Sequence, residues 1–313
     1  MATENRVRKQ GPRWIHRLAL FTAGITFLLV CLGGLVTSKG VGLVVPDWPT
    51  TFGYNMFLFP WSKMIGGILY EHGHRLLATV VGFFTVLVAL AICLKETRIW
   101  LRWFSVIILG FVILQGLIGG LRVILLRQII ASLHGVLAHT FFALMASLVL
   151  FTSREWVEPP LRIHTEAMKR LRWLSAGTTG AIYLQIVFGA VLRHTGSRLD
   201  AHLFFAGLVS VLIFVLAAHI LRGHADQVKL YRPMTILWSL LLVQLLLGGG
   251  AYLVKFTPVG ASLGFNWIVA IATLHVAVGS LMLVTSLVLT LRIFRMLALP
   301  ANDPHLVSES LSV

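Results

Sequence analysis

Charge is what this chain has least of. Only 12% of its 313 residues are charged and 58% are hydrophobic, with a mean hydropathy of +0.88, whereas soluble domains carry about 25% charged residues. That balance excludes an ordinary soluble fold. Cysteine is nearly absent too, with two residues, Cys31 and Cys93. They belong near opposite faces of the membrane, too far apart to pair. A cysteine-rich zinc or copper site is likewise excluded. No cleavable signal is expected before Leu18, because no small-residue cleavage site follows the first apolar run.

The scarce charges leave eight apolar stretches untouched. Leu18–Val36, Leu76–Leu94, Trp103–Leu121, Ile129–Ser153, Trp173–Leu192, Ala201–Leu221, Pro233–Val254 and Phe265–Leu291 contain no Asp, Glu, Lys or Arg. Each is long enough to cross a bilayer, which takes about 20 residues. With no water to satisfy the backbone, each must be helical. The fold class expected is an all-α integral membrane protein of eight transmembrane helices, arranged as two pseudo-symmetric four-helix bundles.

A net charge of +15 raises the question of nucleic acid. Its distribution answers no. The N-terminus, the C-terminal tail and the loops after spans 2, 4 and 6 hold 18 of the 26 Lys and Arg, and the opposite side holds 8. This asymmetry puts both termini on the cytoplasmic side and reads as topology.

The chain divides into residues 1–153, a linker over 154–172, a second half over 173–295 and a tail over 296–313. The second half repeats landmarks of the first. Gly33 and Gly189 stand 156 residues apart, His74 and His202 128 apart, Gln115-x-x-x-Gly119 and Gln244-x-x-x-Gly248 129 apart, and His134 and His275 141 apart. Four spans per half give a parallel repeat about an axis along the membrane normal. The changing offsets place the extra length in the external loops. The longest of these, Thr37 to Lys63, contains Pro46-Asp47-Trp48-Pro49 and several aromatics. It reads equally as an interfacial segment or as a lid over a site.

Polar groups inside such spans need partners or a task. His74, His134, His202 and His275 fall in the outer halves of spans 2, 4, 6 and 8. For any one of them, a hydrogen bond to a neighbouring helix is an ordinary explanation. Four at matching positions point to ligation, with His74 paired to His134 and His202 to His275, as facing imidazoles on two heme irons. His139 lies about 140° round the helix from His134 and cannot share its site squarely. His72 is expected at the membrane interface. His194 is a candidate contact for a carboxylate, and His16, His164, His219, His224 and His305 are expected in solvent at the cytoplasmic ends. Glu71 lies four residues before Arg75, so an ion pair within the helix is expected. Its counterpart in the second half is Leu199, which makes the two sites unequal. Arg75, Arg122, Arg193 and Arg198 at the outer mouths are candidate contacts for heme propionates.

These residues resemble a family. Glu71-x-x-His74-Arg75, Gly33-Gly34, Gly42-Leu43, Pro46-Asp47-Trp48-Pro49 and the single histidines His134, His202 and His275 occur in the order found in heme A synthases, over Ile15 to Arg295. The resemblance implies a substrate heme O between His74 and His134, and a heme b cofactor with His202 and His275 as axial ligands. It also implies that Glu71 is required for activity. The implied reaction oxidises the C8 methyl of heme O to a formyl for cytochrome oxidase assembly, with electrons from an external donor; membrane lipid surrounds the protein, and heme O synthase is a candidate partner. A bacterial inner membrane is favoured over a mitochondrial one. Many bacterial members carry a cysteine pair in the first external loop; here Val45 and Thr51 take those positions. The competing readings are a diheme b-type cytochrome confined to electron transfer, and a transporter.

Overall fold

A computed structural model describes residues 12–158 and 166–296. Residues 1–11, the middle of the linker with His164, and the tail with His305 lie outside them. Long helices dominate: α1 (Arg13–Ser38), α2 (Gly66–Lys95), α3 (Ile99–Leu125), α4 (Gln128–Thr152), the short α5 (Arg154–Val157), α6 (Glu166–Thr195), α7 (Leu199–Gly223), α8 (Val228–Phe256), the short α9 (Val259–Ser262) and α10 (Phe265–Met296). Among the described residues there is no strand, only a bridge between Thr51 and Tyr54. Eight helices are long and apolar enough to cross a membrane. At about 1.5 Å per residue, even the 25-residue α4 exceeds a hydrocarbon core of about 30 Å. The protein is therefore a multi-pass membrane protein.

Local capping contributes little. The N-termini of α1, α2, α3, α4, α7 and α8 have no side-chain cap, so these helices are held chiefly by their apolar faces. α1 packs on α2 and α4, with α3 against the same two. α10 packs on α6 and α8, with α7 against those two, and α1 and α4 meet α6 and α10 along a seam. Ile92, Leu101, Ile108, Met145 and Leu148 fill one core, while Ile213, Leu216, Ile220, Leu230 and Met234 fill another. Leu246 and Trp173, 78% and 71% exposed, face outward as lipid-contacting residues do.

Pro233 illustrates how backbone chemistry recruits a partner. It lies inside α8 and has no N–H for the carbonyl of Lys229, four residues back. Arg292 of α10 donates to that carbonyl at 3.1 Å and pairs with Glu155 of α5 at 2.8 Å. One guanidinium thus supplies the missing donor and joins three helices.

The helix carrying Glu71 starts earlier than the apolar pattern suggests. Gly66 takes a φ of +55°, open to glycine at little cost, and turns the chain from the loop into α2. Glu71 and His74 consequently sit inside the helix rather than at its mouth. His72 is 1% exposed, with Nδ1 3.0 Å from the Thr51 hydroxyl and its ring 5.1 Å from that of Phe59. The loop between α1 and α2 has folded onto it. His16 likewise departs from simple solvation, with Nδ1 3.2 Å from the Thr152 hydroxyl.

Candidate functional site

Each of His74, His134, His202 and His275 is half-buried, with an enclosed Nδ1 that has no hydrogen-bond partner. Each ring also lies against a glycine of the preceding long helix. His74 meets Gly33 of α1, His134 meets Gly119 of α3, His202 meets Gly189 of α6 and His275 meets Gly248 of α8. A Cβ at those glycines would stand 3.1, 2.9, 3.0 and 3.1 Å from the respective Cε1 atoms. Any residue other than glycine would push on the imidazole. The glycines were visible in the sequence as landmarks, but the contacts that make them histidine seats run between helices and leave no sequence spacing to read.

The glutamines preceding three of these glycines by four residues attend the same histidines. Gln115 donates to the His134 carbonyl at 2.9 Å. The side-chain amide nitrogens of Gln185 and Gln244 lie 3.5 and 3.4 Å from Nε2 of His202 and His275, at the outer limit of a hydrogen bond. The Oε1 atoms of all three glutamines are buried without a partner.

The His202 and His275 rings face each other, with centroids 6.3 Å apart and planes at 73°. That separation tests the fit of a shared metal. With a metal–imidazole bond of about 2.0 Å and the ring centroid about 1.1 Å behind the nitrogen, two rings on opposite sides of one metal have centroids roughly 6.2 Å apart. The spacing leaves room for one metal between the two rings. Neither ring nitrogen of His74 or His134 has a hydrogen bond among the described residues. Arg122 and Arg75 lie within electrostatic range of His74, and Arg122 and His194 within range of His134. Among the described residues, no group of three or more His, Cys, Asp and Glu could hold a bare metal ion. His139 is buried, and its Nδ1 is 2.7 Å from the Gly135 carbonyl of its own helix.

Glu71 is 4% exposed and occupied on both oxygens. Oε2 accepts from the Val45 N–H at 2.8 Å, and Oε1 from Arg75 at 3.1 Å. Arg75 also donates to the carbonyls of Val45, Asp47 and Thr50 at 3.0, 2.7 and 3.1 Å. Its guanidinium is therefore largely committed to the loop. Asp47 accepts from the Thr50 hydroxyl and from the N–H groups of Phe52 and Gly53. Burial is the largest single influence and raises this carboxyl; the bonds from Gly53, Thr50 and Phe52 together outweigh it and hold the group below the usual carboxylate value.

The other arginines differ in what remains free. Arg122 has no hydrogen bond or ion pair among the described residues, and its guanidinium lies against Gly42 of the loop. Arg193 donates to the Gly34 carbonyl at 2.8 Å, to the Ser38 hydroxyl at 2.7 Å and to the Ala272 carbonyl at 3.4 Å, spanning the seam. Arg198 is exposed at the entry to α7, with a φ of +68°.

A family model described as cytochrome oxidase assembly protein (COX15-CtaA) matches residues 61–204, a region containing Glu71, His74, His134 and His202. The heme A synthase of Bacillus pumilus is 26% identical over 265 residues, covering 75% of this chain and 84% of the relative. That of Lysinibacillus sphaericus is 30% identical over 197 residues, 61% of each chain. That of Shouchella clausii is 29% identical over 195 residues, 59% of this chain and 61% of the relative. Over these regions the chain is similar to heme A synthases and to the cytochrome oxidase assembly family.

Proposed function

We propose that the protein is a heme A synthase, oxidising the C8 methyl of heme O to a formyl group in a bacterial plasma membrane. The observation that carries this reading is the 6.3 Å separation of the His202 and His275 rings, the spacing of two imidazoles on one iron. Those two histidines would hold heme b, which when bound supplies a one-electron redox centre. His74 and His134 would hold the substrate in the half that carries Glu71. The second half, with Leu199 in that register, carries ligands without the acid. The substrate carbon gains one hydroxyl and then a second, and the geminal diol loses water to leave the formyl. Each hydroxylation consumes two electrons and two protons with dioxygen, the electrons coming from an external donor.

The chain's own residues bind and orient. Gly33, Gly119, Gly189 and Gly248 set the histidine rings, and the three glutamines flank them. Arg122 is the cation best placed to meet a propionate at the first site, because no group among the described residues claims its donors. Arg193 and Arg198 stand at the same end of the bundle as further propionate contacts, while Arg75 serves the loop above the site. Heme O synthase is the enzyme class that must deliver the substrate.

Co-expression with a heme O synthase, followed by extraction and chromatography of total heme, tests the reading. Heme A and its hydroxylated precursor are expected. Absence of both from membranes containing the folded protein overturns it.

A further inference from the structure

The residues least explained by heme ligation form the first external loop and its fastenings. Val45 and Thr51 are completely buried and Phe59 is 5% exposed, although all three lie in a loop that joins two membrane helices. Phe59 packs against Phe52, Tyr54 and His72. The loop is a small folded body, and α2 holds it at three successive points. Glu71 takes the Val45 N–H, His72 meets the Thr51 hydroxyl, and Arg75 takes three carbonyls. On the other side the loop reaches α3. The Trp48 indole lies directly on Gly120, the neighbour of the glycine that seats His134, and Gly42 lies against Arg122. The body therefore bridges α2 and α3 beside both His74 and His134.

We propose that residues 41–54 are a latched lid over the first histidine pair, that Trp48 closes it, and that Glu71 is a positioning residue acting through the lid. Both carboxylate oxygens of Glu71 are engaged, one by the loop backbone and one by Arg75, whose other donors also end on the loop. Val45 and Thr51 are the two positions tied to Glu71 and His72. Hydrogen bonds to α2 thus do the fastening in a loop that has no cysteine to cross-link.

The consequence for turnover rests on the function proposed above, whereas the consequence for the loop does not. The full chain in detergent or nanodiscs is followed by amide hydrogen exchange together with heme O conversion. Glu71→Ala is expected to raise exchange at Val45 at least tenfold. The amides of Phe52 and Gly53, bonded to Asp47 within the loop, keep their protection. Glu71→Gln retains a carbonyl acceptor and is expected to fall between the two. The decisive variant adds Thr51→Cys and His72→Cys to Glu71→Ala and is oxidised with diamide, the cross-link being located by peptide mass. A staple across this contact is expected to restore both Val45 protection and most of the conversion lost in Glu71→Ala. Unchanged Val45 exchange in Glu71→Ala overturns the latch. Restored protection without restored conversion overturns the positioning role and assigns Glu71 to the reacting atoms. If the unmodified chain converts no heme O, the functional reading fails, and the exchange results still decide the latch.

Discussion

Alanine at Gly248 should separate the histidine seat from every other property of α8. Its Cβ would stand 3.1 Å from Cε1 of His275, whereas carbon atoms settle at about 3.5–4.0 Å. The ring must therefore retreat by several tenths of an ångström. Metal–ligand bonds tolerate only about ±0.2 Å, and the His202–His275 spacing has little slack for that movement. Loss of a group that orients a metal ligand typically costs about 10–100-fold in affinity, and that is the range expected for heme b. Backbone energetics run the other way, because alanine within a helix is favoured over glycine by about 0.5–1 kcal/mol. The variant should fold at least as well as the parent, so a loss of heme cannot be blamed on an unfolded chain. Gly249 is the built-in control: it lies on the same helix, and a Cβ there meets nothing within 4 Å. The assay titrates heme b into each purified variant and follows the Soret and α bands. Gly248→Ala should bind weakly and lose its low-spin spectrum, with Gly249→Ala matching the parent. Equal affinities and spectra for the two variants would refute the seat.

Three further outcomes are expected. The Asp47 carboxyl is held below its ordinary value, so its contribution to the loop is present above the unfolded carboxylate value near pH 3.9 and is lost as pH falls through the lower folded value. Exchange at Phe52 and Gly53 should be flat from pH 5 to 8, after correction for the intrinsic rate, and should rise below about pH 4; Asp47→Asn should show the loss at neutral pH. Arg292→Leu should destabilise the chain by about 1–3 kcal/mol by orphaning the Lys229 carbonyl and the Glu155 carboxylate. Pro233→Ala restores an N–H to that carbonyl, so a double-mutant cycle by thermal denaturation should give a smaller loss in its background; additive losses would contradict the assignment. Arg122→Gln removes a guanidinium with no hydrogen bond among the described residues, so the melting temperature of the heme-free chain should hold while affinity for heme O falls, measured by titration.

Much of the architecture was readable from where charge is missing. All eight uncharged stretches lie within the long helices, give or take a terminal residue, because a backbone in lipid has no alternative to its own hydrogen bonds. The four histidines and the glycine landmarks were legible as separate marks. Their pairing was not, since a ring resting on a glycine of another helix depends on helix rotation, which sequence spacing does not record. The loop was the least legible part. Arg75 reaches backbone carbonyls 25 to 30 residues away, and a backbone carbonyl has no residue identity to betray it. The burial of His72 was illegible for the same reason: it comes from Phe59 and Thr51 folding over it, not from its position along α2.

Arg193 has a consequence for how the molecule comes apart. It belongs to α6, yet its donors end on α1 and α10, and the Ser38 hydroxyl it reaches also accepts from Thr273. A guanidinium stranded in hydrocarbon without those acceptors would be expensive. Neither set of four helices can peel away while the other stays folded without paying that penalty. Unfolding should therefore be a single cooperative transition across the seam rather than two steps, and a heme lost from one side should loosen the other.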